Sequence, residues 1–381
     1  MKILNKIALF ILIIALFNSC GKDVTKEKGI ENLPKNECCP DGNGLLPAGI
    51  NSGDNYNSVR SMFQEYKNPN INKADKYKDY ASFVEYDPIN PEKEIYWFSS
   101  SRFDSLKNET VMYGHLYFCE RDLSYSDNGY CLSEGWSSPE KFITSDKNFN
   151  QRTYGTIAIA GDVMIFSAEE SFDAPSVLGA GQLLDLWMLK KKDKNKTFAE
   201  QSGQLKPEKL NVLNINSGSK ETQTWESQPT LSKDGKHIFY ISDRPLLTDS
   251  EQKRSDLNIW YSKLDDDENW TQPVAVADLN TEYNEYTPQI GPDGKYLFFA
   301  SDRQGGKGGY DLYAAEFKNG QIGTEFGVVQ SAEYLLTNKT CGPQLRNKEL
   351  NTSYDDIFPF FYENEQNKKF NKKNKYYDAE Y

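Results

Sequence analysis

Residues Tyr283 to Phe317 read YNEYTPQIGPDGKYLFFASDRQGGKGGYDLYAAEF. An extended piece, Tyr286 to Gly291, meets the turn Pro292-Asp293-Gly294, and Lys295 to Ala300 returns as a nearly unbroken apolar run. Asp-Gly between two such runs predicts a β-hairpin, because the turn needs a residue that accepts positive φ. A strand buried on one face alternates apolar and polar residues. This one does not, so both of its faces are expected under cover. After Ser301-Asp302-Arg303 and the glycine-rich Gly305-Gly306-Lys307-Gly308-Gly309, Tyr310-Asp311-Leu312-Tyr313 opens a third strand.

Weaker copies lie upstream. Ser227 to Arg244 reads SQPTLSKDGKHIFYISDR and is followed by Leu257-Asn258-Ile259-Trp260-Tyr261, with Asn269-Trp270-Thr271-Gln272-Pro273 as the expected fourth strand. Earlier, GDVMIFSAEE (Gly161 to Glu170) precedes Leu184-Asp185-Leu186-Trp187, and IYWFSSSR (Ile95 to Arg102) precedes Gly114-His115-Leu116-Tyr117. Aligning Phe98, Phe166, Tyr240 and Phe299 gives spacings of 68, 74 and 59 residues, long for a repeat but open to loop insertions. Each copy is a small antiparallel sheet that cannot bury both faces alone, so copies must stack radially, as in a β-propeller.

Pro288 to Tyr313 resembles the WD40-like PD40 repeat of TolB-type propellers in cell-envelope lipoproteins. That repeat reads P-x-x-S-x-D-G-K-x-[IL]-x-F-x-S-D-R, then G-G-x-G-G-x-D-[IL]-Y. Here Gly291 replaces its serine; Pro229 to Arg244 matches the first half, and Asn258 replaces the second-half Asp. In the two earlier copies Glu169-Glu170 and Ser101-Arg102 stand where Asp-Arg is expected. The resemblance implies an all-β propeller of four-stranded antiparallel blades. Its repeat residues Asp234, Gly235, Asp243, Arg244, Asp293, Gly294, Asp302, Arg303 and Asp311 are expected to be structural.

After the fourth copy, Gly342-Pro343-Gln344-Leu345 echoes Thr287-Pro288-Gln289-Ile290, and Tyr354-Asp355-Asp356-Ile357-Phe358 echoes Tyr310-Asp311-Leu312-Tyr313. The interval is short, which predicts an abbreviated fifth blade completed by a strand from residues 55 to 80; five blades are expected, with six the next count. The propeller is placed at 79–363 and a Lys- and Asn-rich tail at 364–381.

Met1 to Ser19 carries Lys2, Lys6 and an apolar run from Ile7 to Phe17, the layout of a secretory signal too short to span a bilayer. Ser19 directly before Cys20 resembles a bacterial lipobox, which implies diacylation of Cys20 and anchorage in the outer membrane, its periplasmic or exterior face left open by Gly21-Lys22-Asp23. Residues 20–78 are polar and read as a tether. Loss of Lys2 and Lys6 with the signal moves the net charge from −12 to about −14, which argues against nucleic acid as a partner. In an oxidising compartment Cys119, expected to end a strand, is a candidate to bridge Cys131 across a hairpin, and Cys341 to bridge Cys38 or Cys39; a vicinal Cys38-Cys39 bond is the rival.

The chain holds two histidines, His115 and His237, in the repeat slots of Asp311 and Tyr296, so a histidine-rich metal centre is excluded. No G-x-S-x-G elbow is present. The cluster Asp265-Asp266-Asp267-Glu268 reads as a solvated turn ahead of a calcium loop, and the Gly305 to Gly309 run leads into a strand, not a helix that would cradle phosphate. No catalytic, cofactor or metal residue is therefore assigned. The TolB resemblance implies a non-enzymatic docking scaffold for an envelope or outer-membrane protein, with the insertions Pro245 to Ser255 and Ser171 to Leu183 varying its surface. The alternative is a surface lipoprotein that binds or cleaves glycans, using a carboxylate pair defined only in space.

Overall fold

The computed structural model describes residues 79–90, 93–100, 114–122, 137–152, 154–169, 184–215, 224–246, 256–291 and 294–332. They form four sheets of four strands each. Blade 1 contains β1 (Asp79–Tyr86), β2 (Lys93–Ser100), β3 (His115–Asp122) and β4 (Glu140–Lys141). Blade 2 contains β5 (Tyr154–Ala160), β6 (Val163–Glu169), β7 (Leu184–Lys190) and β8 (Glu208–Lys209). Blade 3 contains β9 (Glu226–Leu231), β10 (His237–Ser242), β11 (Asn258–Lys263) and β12 (Val274–Ala275). Blade 4 contains β13 (Glu285–Ile290), β14 (Tyr296–Ser301), β15 (Asp311–Glu316) and β16 (Gln330–Ser331). Strand order in every sheet is chain order, and neighbours run antiparallel. The first strands β1, β5, β9 and β13 pack successively on one another. They are the inner strands, which makes this a β-propeller as the repeats predict.

Turn chemistry sets the inner hairpins. Gly161, Gly235 and Gly294 sit at φ of 57°, 70° and 66° between the first and second strands of blades 2, 3 and 4, where a side chain would be strained. Every inner strand also carries a bulge at the same place, with the register slipping between Tyr80 and Phe83, Tyr154 and Ile157, Ser227 and Thr230, and Tyr286 and Gln289. Gln228 and Thr287 take positive φ of 55° and 48° inside it. That explains the repeat prolines. Pro229 and Pro288 fall within the bulge, where the ladder is already interrupted and a missing N–H costs little.

Register confirms the alignment of the four copies, since Phe98, Phe166, Tyr240 and Phe299 face Tyr117, Trp187, Trp260 and Tyr313 across the second and third strands. All six residues of β14 are buried, as its unbroken apolar run requires. Between blades 1 and 2 the core contains Ile95, Trp97, Leu116 and Phe118 against Met164, Phe166 and Leu189. Ile165, Leu186 and Leu213 meet Ile238, Tyr240 and Trp260 between blades 2 and 3, and Phe239, Ile259 and Leu279 meet Leu297, Phe299 and Phe317 between blades 3 and 4. Each interface is thus a sheet-on-sheet core.

Two expectations are corrected. The fourth strand of blade 3 is Val274–Ala275, not Asn269 to Pro273. Trp270 makes only an isolated bridge to Leu264, and Glu268 turns the chain at φ 61°, so pairing with β11 resumes after Pro273, which has no N–H to give. Cys119 does not end its strand. It is a buried residue inside β3, opposite Tyr96.

Cys20, Cys38, Cys39, Cys131, Cys341 and Asp293 lie outside the described residues, as do the fifth copy, the signal segment and the C-terminal tail. Among the described residues no helix is long and apolar enough to cross a membrane.

Candidate functional site at the loop end of the blades

One end of the blades gathers the loops joining second to third strands and the connections from each outer strand to the next inner strand. The strand ends flanking 171–183 (β6, β7) and 247–255 (β10, β11) both lie there. So do the Ser-Asp-Arg segments.

In blade 3, Glu226 at the start of β9 sits opposite Ser242 at the end of β10. Its Oε1 accepts hydrogen bonds from the hydroxyls of Thr224 (2.6 Å) and Ser242 (2.7 Å) and from the Arg244 guanidinium (3.1 Å). Arg244 also donates through Nε to Ser242 (3.1 Å) and through Nη2 to the carbonyl of Leu213, in the connection arriving from blade 2. Blade 4 repeats the device. Glu285 Oε1 accepts from Thr281 (2.6 Å), Ser301 (3.2 Å) and Arg303 (3.1 Å), and Arg303 donates to the Leu279 carbonyl (2.9 Å) in the connection from blade 3. Both carboxylates are wholly buried. Burial lifts each above its ordinary value, against the pull of the arginine and the hydroxyl donors.

The arginines are therefore paired with glutamates that the repeat pattern did not reveal, not with the adjacent aspartates. Asp243 and Asp302 hold backbone instead, accepting from the amides of Trp225 (2.8 Å) and Asn284 (2.7 Å). Asn284 passes the link to blade 3 by accepting from the Leu257 amide (3.1 Å). Each guanidinium also lies on aromatic faces, Arg244 on Trp260 (4.8 Å) and Arg303 on Tyr313 (4.9 Å) and Phe299 (5.0 Å). Blade 2 lacks the Ser-Asp-Arg. Arg152, entering from just before β5, takes the matching place over Trp187 (4.9 Å) and donates to the Glu169 carbonyl (2.6 Å). A sequence signal for the acids did exist: each clamp glutamate precedes a bulge proline by three residues, Glu226 before Pro229 and Glu285 before Pro288.

The glycine-rich run and Asp311 form one unit. Asp311 Oδ2 accepts from the backbone amides of Lys307 (2.8 Å) and Gly308 (3.1 Å). A Cβ on Gly306 would overlap that carboxylate, so the loop can fold over the aspartate only with glycine there. In blade 3 Asn258 holds the Asp256 carbonyl with its amide (2.7 Å), and in blade 2 Asp185 meets Lys209 at 3.0 Å. His115 begins β3 and His237 begins β10, as the alignment of copies places them.

At the opposite end, Asp234 accepts from the Ser232 hydroxyl and the Lys236 amide (3.0 Å) inside the turn closed by Gly235. Burial raises its carboxyl, but these hydrogen bonds outweigh burial and hold it below its ordinary value. His237 Nδ1 lies 2.7 Å from the Tyr261 hydroxyl, and burial lowers the imidazole while pushing Tyr261 up to about 12. In the acidic turn, Asp265 Oδ1 accepts from the amides of Asp267 (3.0 Å) and Asn269 (2.9 Å), the geometry of a side-chain-capped turn. No repeat pattern marks Glu85 and Lys191, a buried ion pair (2.8 Å) joining blades 1 and 2, in which Glu85 also accepts from Trp97 Nε1 (3.1 Å) and the Phe198 amide (2.9 Å).

Several solved structures align with part of this chain. TolB from Acinetobacter baumannii aligns at 12% identity over 67% of this chain and 43% of its own, with a TM-score of 0.32. The alpha-L-arabinofuranosidase from Lactobacillus brevis aligns at 13% identity over 63% of this chain and 73% of its own, TM-score 0.38. Zg3597, a family 117 glycoside hydrolase produced by the marine bacterium Zobellia galactanivorans, aligns at 11% over 68% and 72%, TM-score 0.37. This chain thus spans less than half the length of that TolB. No protein-family model matches the chain, and no curated protein does.

Proposed function

We propose that this protein is a cell-envelope lipoprotein, diacylated at Cys20, whose PD40-type propeller docks a partner protein through the loops at the clamp end. The reading rests on one observation. At that end the repeated ionisable side chains are engaged within the fold: Glu226 and Glu285 are buried under arginine, and Asp311 lies beneath its own loop. Glycoside cleavage needs two carboxylates that reach a sugar. These acids do not face outward, so at this end the variable loops are left to meet a partner.

The test has two arms, both on the full chain expressed in its native envelope. Cys20→Ala should abolish acyl labelling and release the propeller from the membrane fraction. Shortening residues 245–255 should leave the protein anchored but remove a stoichiometric membrane partner recovered by crosslinking and mass spectrometry. A partner retained in full by the shortened chain, or an acyl label retained by Cys20→Ala, would overturn the corresponding half.

A further inference from the structure

The end opposite the clamps carries a charge pattern that partner docking does not use. Between β7 and β8, residues 190–196 read KKKDKNK, five lysines in seven residues of a chain whose net charge is −12. The loop is held from beneath. Gln201, 1% exposed, accepts at Oε1 from the amides of Lys192 (2.9 Å) and Asp193 (3.0 Å) and donates through Nε2 to the Asp193 carbonyl (3.0 Å). Lys191 turns inward to Glu85 and lies over the Phe198 ring at 4.8 Å, fixing the base of the loop. Lys190, Lys192, Lys194 and Lys196 are left exposed. Like charges that would spread apart on a slack loop are thus kept together.

Neighbouring turns extend the patch. A Cβ on Gly235 would sit 3.5 Å from that of Ala160, so the blade 3 hairpin, with exposed Lys233 and Lys236, lies against the end of β5. On the other side, Lys191 with Glu85 (2.8 Å) and Lys93 with Glu200 (3.8 Å) tie the loop to the β1–β2 turn. There Asp87 Oδ1 accepts from the amides of Ile89 and Asn90 (2.8 Å each), and Ile89 stands at the tip, 68% exposed. The acids among these lysines are already engaged. Asp162 pairs with Lys194 (3.2 Å), Asp193 accepts from the Asn195 amide (3.0 Å), Asp234 from the Lys236 amide (3.0 Å) and Glu200 from the Thr197 amide (2.8 Å). The acidic turn Asp265 to Glu268 lies beyond the blade 3 hairpin, where the Leu264 amide donates to the Lys236 carbonyl (2.9 Å).

Lysines around an exposed isoleucine suit a surface that is anionic at its boundary and apolar beneath. We propose that this end of blades 1 and 2 rests on an anionic phospholipid surface, with the lysines over its phosphates and Ile89 between its headgroups. The inference depends on the envelope-lipoprotein reading only for placing the chain at a membrane, and it adds an orientation. The acidic turn is repelled by the same surface, so contact falls on blades 1 and 2. The clamp end then faces away from the bilayer, toward a partner.

The test uses the purified full chain carrying Cys20→Ala, so that acylation plays no part, and vesicles of phosphatidylcholine alone or mixed with phosphatidylglycerol. Flotation should show binding to the mixed vesicles tighter by about tenfold or more, weakening as salt rises from about 50 to 500 mM. Lys192→Glu with Lys194→Glu and Lys196→Glu should remove that preference, and so should Lys233→Glu with Lys236→Glu. The two sets lie in separate loops, so misfolding of one leaves the other to decide. Ile89→Ser should weaken binding about threefold or more with the salt dependence unchanged. Inorganic phosphate at matched ionic strength should displace nothing. Equal binding to both kinds of vesicle overturns the proposal, as does a preference that survives in folded lysine variants. Displacement by phosphate overturns it too, since that would mean a pocket for one anion and not a surface. Neither an acyl group nor a protein partner enters the measurement, so failure here leaves anchorage and docking standing, and their failure leaves this result standing.

Discussion

Gly306 shows how a residue that does no chemistry comes to be part of a repeat signature. Its missing Cβ is what lets the loop amides of Lys307 and Gly308 reach Asp311. Gly306→Ala should cost about 1–3 kcal/mol of unfolding free energy, the usual range for overpacking. Gly323→Ala, where an added Cβ meets only the Gln321 carbonyl at 4.0 Å, should stay within about 0.5 kcal/mol. Denaturant titration of the two variants reads the contrast, and equal losses would contradict it. Glu226 carries a pH signature of its own. Burial raises its carboxyl above the ordinary 4.5, so between that value and its folded value the folded chain keeps a proton the unfolded chain has released. Stability from this group therefore falls as pH rises through that window. Glu226→Gln removes the titration, so its melting temperature relative to the unmodified chain should climb as pH rises above the ordinary glutamate range. A difference that falls as pH rises there would contradict the upward shift.

At the scale of the element, the clamp is a strand-end device joining successive blades. Arg244→Met leaves a fully buried carboxylate without its cation and should cost about 3–5 kcal/mol, whereas Glu226→Gln with Arg244→Met should recover more than half of that loss. A double-mutant cycle in denaturant measures both, and a coupling near zero would mean the pair is incidental. Much of this was legible in the sequence and some was not. The hairpin glycines, the third-strand starts and the register of Phe98, Phe166, Tyr240 and Phe299 follow from local pattern, because turn geometry and period-two burial act over neighbouring residues. The glutamate partners are marked only by their place three residues before the bulge prolines, since Glu226 lies 16 residues before Ser242 and the Ser-Asp-Arg supplies a nearer acid. Arg152 reaches Trp187 from a position no repeat alignment would assign, and Glu85 meets Lys191 only through packing of blade 1 on blade 2. The fourth strand of blade 3 was misplaced for a related reason: Trp270 looks like strand residue but is drawn to the core shared with blade 2.

Across the whole molecule the same division of labour appears. Aromatic residues fill the inter-blade cores, and buried ions tie one blade to the next, so the described interior is committed to holding the ring. At the clamp end the insertions 171–183 and 245–255 lie between second and third strands and do not contain the clamp residues. The claim that scaffold and docking surface are separate residues can be tested in one experiment, by measuring partner recovery and thermal stability together for two variants of the full anchored chain. Glu226→Gln with Arg244→Met, which alters the clamp, should change the melting temperature and recover the membrane partner as the unmodified chain does; shortening 245–255 should keep the melting temperature and lose the partner. A folded clamp variant that loses the partner, or a loop-shortened chain that keeps it, would contradict the account.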